Sequence, residues 1–261
     1  MKLAISNIAW TKEKDDSMYA YLLRKGFQGL EIAPTRLFLE RPYEHLKEAI
    51  QFSKKLKNNY NLVISSMQSI WYGRSEAIFG SNKERQALLD YTFQAINFAE
   101  AIGCKNLVFG CPKNRNVSGD DDYNTGIVFF RQIGNYAQAH HTVVALEANP
   151  IIYGTNFLNT TKAAIDFCRE IDNKGIGINY DLGTVVYNGE DYHTCLENLD
   201  LINHIHISEP YLAKIESREL HRQLLKALGS GGYDKFVSIE MKTMEHMEDV
   251  YETINYVRDL V

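Results

Sequence analysis

The chain is 261 residues long, 45% hydrophobic and 23% charged, with a formal net charge of -5. That composition excludes a disordered chain, and no apolar run approaches the roughly 18 residues a membrane span needs. The negative balance repels phosphate backbones and no basic stripe offsets it, so neither nucleic acid nor membrane is an expected partner.

The first strand-like run, KLAISNI, begins at Lys2 and leaves no room for a secretory leader, which gives a cytoplasmic expectation. Seven further β-rich runs follow in order: GLEIAP, LVISSMQ, NLVFGCP, VVALEANP, GIGINYD, NHIHIS and KFVSIEM. Their starts lie about 27 to 44 residues apart, the length of a strand plus a crossover helix and two loops. Helical patterns fill the gaps, among them SMYAYLLRKG, YEHLKEAIQFSKKLK, ERQALLDYTFQAINFAEAIG and TTKAAIDFCREI. Gly26 and Gly103 suit the left-handed position just past a helix end. Eight βα units bury their edges best by closing, so the expected fold is an α/β, single-domain (β/α)8 TIM barrel over residues 1–261.

Pro34, Pro112, Pro150 and Pro210 each lie just past a strand run and mark the carboxyl-terminal mouth, where barrel enzymes place their reactive groups. Cys104, Cys111, Cys168 and Cys195 show no CxxC spacing and read as free, mostly buried thiols. The acidic run Asp120, Asp121, Asp122 reads as a solvated loop.

Strand alternation then sorts the side chains. Val144 and Leu146, Ile176, Ile178 and Tyr180, Ile205 and Ile207, and Val237 and Ile239 form the helix-facing sets. Glu147, Asp181, His206 and Glu240 are left facing inward near the ends of strands five to eight, level with one another. Three carboxylates crowded together raise one another's pKa unless a positive charge sits among them, and a divalent metal ion meets that need. This set of oxygen donors with one imidazole nitrogen suits Mn²⁺, Mg²⁺, Co²⁺ or Zn²⁺ without choosing among them. His204 lies one layer deeper, as a supporting or packing residue.

The stretches LEAN around Glu147, NYDLG around Asp181, HIHISEP around His206 and YDKFVSIEMK around Glu240 resemble the xylose-isomerase-like barrel superfamily, in particular its sugar phosphate isomerase/epimerase members. The resemblance spans essentially the whole chain. It implies one divalent ion held by these four residues, with Glu147 and Glu240 exchanging the substrate proton. One position departs: family members often carry a substrate-holding histidine three residues after the metal-binding aspartate, and Thr184 stands there. Strands three and four end in SMQSIWYG and FGCPKNR, without the histidines a trinuclear nuclease would need.

The expected activity is metal-dependent isomerisation or epimerisation of a sugar or sugar phosphate through an enediolate. A dehydratase of a polyol ketone and a non-catalytic sugar-binding barrel are the alternatives. Candidate substrate contacts are Glu31 and Gln68 for hydroxyls, Lys113 and Arg115 for a phosphate or carboxylate, and Glu209 at the rim. Trp10 and Trp71 read equally as pocket walls or as packing residues. The sequence carries no argument for an oligomer.

Overall fold

The computed structural model describes residues 1–119 and 121–261. Eight parallel strands close a barrel in sequence order: β1 (Lys2–Ser6), β2 (Gly29–Ile32), β3 (Val63–Met67), β4 (Asn106–Phe109), β5 (Val143–Glu147), β6 (Ile176–Asp181), β7 (Ile202–Ser208) and β8 (Phe236–Glu240). The ring shuts where β8 pairs with β1, with Leu3 opposite Val237 and Ile5 opposite Ile239. Around it run α1 (Asp15–Arg24), α2 (Pro34–Leu37), α3 (Leu46–Tyr60), α4 (Asn82–Ile102), α5 (Asp122–Ala139), α6 (Thr161–Ile171), α7 (Leu182–Asn188), α8 (His193–Leu196), α9 (Glu219–Ser230) and α10 (Met247–Arg258).

Local chemistry explains the ends of these elements. Ser81 and Glu84 form a reciprocal capping box at the start of α4, and Gly103 ends that helix at φ 75°. Asp181 caps α7, its side chain accepting from the Thr184 backbone N–H. Pro34 opens α2, while Pro112 and Pro210 open single 3-10 turns just past β4 and β7. Asp120 lies outside the described residues; Asp122 opens α5 and accepts from the backbone N–H groups of Ser118 and Gly119.

The core is the shell between barrel and helices. Val144, Leu146, Ile176, Ile178, Tyr180, Ile205, Ile207, Val237 and Ile239 are all buried there. Trp10 and Trp71 belong to the same core, their indole N–H groups bonded to Asp15 and Thr92, both at 2.8 Å. Fully burying a side chain of this size is worth about 1.5–3 kcal/mol, so the shell is what makes closure favourable. The four cysteines are free; Cys111 is partly exposed and the other three are buried. No helix among the described residues is long and apolar enough to cross a membrane.

Candidate active site

The inward set of β5 to β8 meets at the carboxyl-terminal mouth. One donor atom from each of Glu147, Asp181, His206 and Glu240 lies within 4.8 Å of the others. The four do not share one register level, however. Asp181 pairs with His206, whereas Glu147 pairs with Asn179 and Glu240 with Ser208. The strands of a barrel tilt and stagger, so side chains from different levels converge on one point near the axis.

His206 is the hub. Its Nδ1 sits 3.1 Å from both Glu147 Oε1 and Glu240 Oε2, while Nε2 bonds Glu31 Oε2 at 2.9 Å. His204 Nε2 lies 3.1 Å from the same Glu31 oxygen, one layer below the mouth. Burial disfavours the imidazolium at His206, yet Glu31 and Glu240 outweigh it and hold its pKa well above the ordinary value. Burial also pushes the Glu31 carboxyl up, but the two facing imidazoles prevail and keep it below the usual carboxylate range. His204, with weaker carboxylate contact, is pushed down by its burial.

The mouth carboxylates show the opposite tendency. Burial, reinforced by the charge of Glu147, raises Asp181 to about 6 and Glu240 to about 7. In the protein alone, the His206 imidazolium is the positive charge these groups share. A divalent cation fits the same donors: three clustered carboxylates and an imidazole whose Nδ1 already faces them.

The surrounding groups orient this set. Asn179 Nδ2 donates to Glu147 Oε1 at 2.6 Å, and Asn149 Nδ2 donates to Oε2 at 3.1 Å. Gly110 leaves the space Glu147 occupies, since a Cβ there would lie 2.8 Å from Oε2. Asp181 accepts from the Ser208 hydroxyl through Oδ1 and from the Thr184 N–H at 2.7 Å through Oδ2. Thr184 is itself buried, its Oγ1 2.8 Å from the Ala148 carbonyl and 2.9 Å from Asp181 Oδ2. It ties the end of β5 to Asp181 beneath the cavity.

A cavity of about 180 Å³ opens over these groups, with Gln68, Glu147, Tyr153, Asp181, Glu209 and Glu240 on its walls. The remaining candidates fall in three places. Glu31 is fully buried beneath His206. Arg115 is also fully buried, with Nη1 donating to the Glu147 carbonyl at 2.9 Å and the Phe109 ring 5.8 Å away; burial lowers its pKa to about 10. Lys113 is exposed and lines an adjoining groove rather than the cavity. Glu209 reaches the cavity wall, but Arg218 grips its carboxylate through two bonds of 2.7 and 2.6 Å. Gln68 donates to Glu31 Oε1 at 3.4 Å and so links the cavity wall to the floor.

Asn179, Ser208 and Tyr153 also belong to the site. Asn179 and Ser208 carry the inward parity of Asp181 and His206, a signal present in the sequence. Tyr153 comes from a 3-10 turn after β5, which alternation does not reach. A larger recess of about 780 Å³ lies at the opposite face, among Val143, Ile176, Asp200 and Lys235, remote from the acidic cluster.

The model of the xylose isomerase-like TIM barrel family matches residues 19–260. No curated protein matches the chain by sequence. Among solved structures, the chain is similar to the apo form of 3-keto-D-glucoside 4-epimerase from E. coli, with a TM-score of 0.78, 20% identity and 99% of each chain covered. It is similar to D-psicose 3-epimerase, crystallised in the presence of D-fructose, with a TM-score of 0.79, 14% identity, and 100% of this chain and 96% of that one covered. It is also similar to the probable 3-DHS dehydratase of Bacillus anthracis, with a TM-score of 0.70, 15% identity, and 100% and 98% covered. At such identities the structural likeness speaks for the fold, and the family match over nearly the whole chain agrees with it: the chain belongs to the xylose isomerase-like TIM barrel family.

Proposed function

We propose that this protein is a divalent-metal-dependent isomerase or epimerase of a sugar or sugar phosphate. The observation that carries the reading is the convergence of Glu147, Asp181, His206 and Glu240 within 4.8 Å, with the three carboxylates on the wall of a small cavity. The likeness to a 3-keto-D-glucoside 4-epimerase and a D-psicose 3-epimerase supports it.

Glu147, Asp181, Glu240 and His206 Nδ1 are the residues that would hold the ion. Bound there, a divalent ion supplies Lewis-acid stabilisation of the negative charge that develops on a substrate carbonyl oxygen, worth several kcal/mol. Glu147 and Glu240 flank His206 Nδ1 from two sides and both line the cavity. One takes the proton from the carbon beside the carbonyl, leaving an enediolate, and the other returns a proton. Return to the opposite face of the same carbon epimerises the sugar; return to the neighbouring carbon isomerises it.

The other candidates divide into two roles. Gln68 and Tyr153 present polar groups to sugar hydroxyls from the cavity wall, and Glu209 does so while Arg218 balances its charge. Glu31 and Arg115 act through the donors: Glu31 orients His206, and Arg115 holds the carbonyl end of β5 from which Glu147 projects.

The test is to load purified protein with Mn²⁺, incubate it in D2O with ketoses and their phosphates, and read the products by mass and NMR. Deuterium uptake at one carbon without loss of water is expected. Loss of water would make the protein a dehydratase. Metal and sugar binding with no exchange would make it a non-catalytic barrel.

A further inference from the structure

The cavity over the acidic cluster does not end at its own rim. A groove of about 540 Å³ adjoins it, formed by the loops that follow β3 and β4, and the two spaces share Ser69, Cys111 and Pro112 as a common wall. Ser69 and Cys111 both hold the left-handed backbone conformation, at φ 53° and 42°, although neither is glycine. Such conformations persist where the surrounding structure enforces them, commonly beside functional sites.

The groove is pre-formed. Asn114 Nδ2 donates to the carbonyls of Arg74 and Glu76 at 3.1 and 2.8 Å, and the Ile78 N–H donates to the Asn114 carbonyl at 2.9 Å, so the two loops are stapled together. A site that needs no ordering loses less free energy when a ligand enters. Pro112 and Tyr72, which is 71% exposed, line it, with the buried Trp71 behind them. Lys113 completes it, with no ion-pair partner among the described residues.

This chemistry suits a sugar ring better than a phosphate. A phosphate subsite needs several convergent donors. Here Arg74 is committed to Glu76 and to the Tyr91 ring 4.9 Å away, and Arg115 is buried, so Lys113 stands alone. A pyranose presents a C–H face that packs on an aromatic ring and hydroxyls that reach donors at its edge. Tyr72 and Lys113 offer those two partners. The reacting cavity, at about 180 Å³, is smaller than the roughly 300–1,000 Å³ of common ligand pockets, and the groove supplies the room it lacks.

We infer that the substrate is a glycoside, with the reacting sugar over Glu147 and Glu240 and a second glycosyl unit in the groove against Tyr72 and Lys113. The inference rests on the proposed isomerase or epimerase reading. It specifies where the rest of the substrate lies.

Two matched pairs test it with Mn²⁺-loaded protein in D2O: D-fructose against its 3-, 4- and 6-O-glucosyl derivatives, and 3-keto-D-glucose against 3-keto-cellobiose. At least one glycoside is expected to exceed its free sugar in kcat/KM for deuterium uptake. Tyr72→Ala is expected to cut that glycoside-to-sugar ratio about tenfold, the worth of one aromatic contact, with a smaller cut in Lys113→Ala. Glycosides no better than free sugars, or a ratio that Tyr72→Ala leaves unchanged, would overturn the subsite. If no sugar exchanges deuterium, calorimetric binding decides. Glycoside binding weakened by Tyr72→Ala would uphold the groove while the isomerase reading falls, and absent or Tyr72-independent binding would end both.

Discussion

Glu31 Oε2 accepts a hydrogen bond from His206 Nε2 at 2.9 Å, and this contact determines which nitrogen of His206 faces the mouth. A carboxylate can only accept, so Nε2 carries the proton and Nδ1 is the nitrogen turned toward Glu147 and Glu240. The pair joins the floor of the barrel to the cluster above it.

Glu31→Gln keeps the shape of the floor but removes the charge that orients His206. Partners of this kind typically contribute about 10–100-fold to metal affinity, so Mn²⁺ binding measured by calorimetry should weaken by that factor. An unchanged affinity would show that packing alone holds the imidazole.

The mouth carboxylates give a pH dependence whose sign follows from their raised pKa values. Asp181, shifted from 3.8 to about 6, and Glu240, shifted from 4.5 to about 7, bind more protons in the fold than in the unfolded chain. Their stabilising contribution is therefore complete below the unfolded values and is lost as pH rises through the folded ones. His206, also raised, acts in the same direction. His204 and His221, whose pKa values burial lowers, oppose this trend below about pH 6.5. Metal-free protein should therefore lose thermal stability between about pH 6.5 and 8, and Mn²⁺ should raise Tm more at pH 8 than at pH 5. Calorimetry in buffers of different ionisation enthalpy should detect proton release on binding. A metal-free Tm that climbs across this window would contradict the protonation scheme.

Glu147→Gln and Glu240→Gln should each lower kcat/KM by about 10²- to 10⁴-fold, the usual worth of a positioned acid or base. Hydrogen exchange with solvent should fail in both. Metal content measured on the same samples separates loss of proton transfer from loss of the ion. Full exchange in both variants with metal retained would remove these residues from the chemistry.

Thr184→Val preserves volume and removes the hydroxyl that lies 2.8 Å from the Ala148 carbonyl. The Ala148 carbonyl keeps its bond from Asn149 Nδ2 at 3.0 Å, so the loss is that of one hydrogen bond, about 0.5–1.5 kcal/mol, which urea denaturation should register as a lower midpoint at unchanged slope. The Asp181 carboxylate keeps its bonds from the Thr184 N–H and Ser208, so Mn²⁺ binding should weaken less than in Glu31→Gln. A larger metal defect than in Glu31→Gln would rank the two supports the other way.

Much of the barrel is legible in the sequence because its information is local. Period-two alternation in GIGINYD and NHIHIS separates Ile178 and Ile205 from Asp181 and His206 with no knowledge of partners, and Gly103 and the prolines punctuate the repeats. The inward orientation of Glu147 and Glu240 comes from the same alternation. A side chain's depth along the barrel axis is a different matter.

Depth and partnership depend on how neighbouring strands are staggered and how the loops return, and those are long-range quantities. The stagger brings Glu147 and Glu240 to His206 from different levels and sinks Glu31 beneath it. The return of the loop after β4 buries Arg115 and leaves Lys113 in a separate groove, and a segment nine residues beyond Glu209 brings back Arg218 to grip it. By itself the sequence determined the repeats, the closure and the inward residue types, because local alternation and turn chemistry suffice for these. Only the tertiary structure decided which inward groups meet one another and which meet the cavity, because shear and packing set those distances.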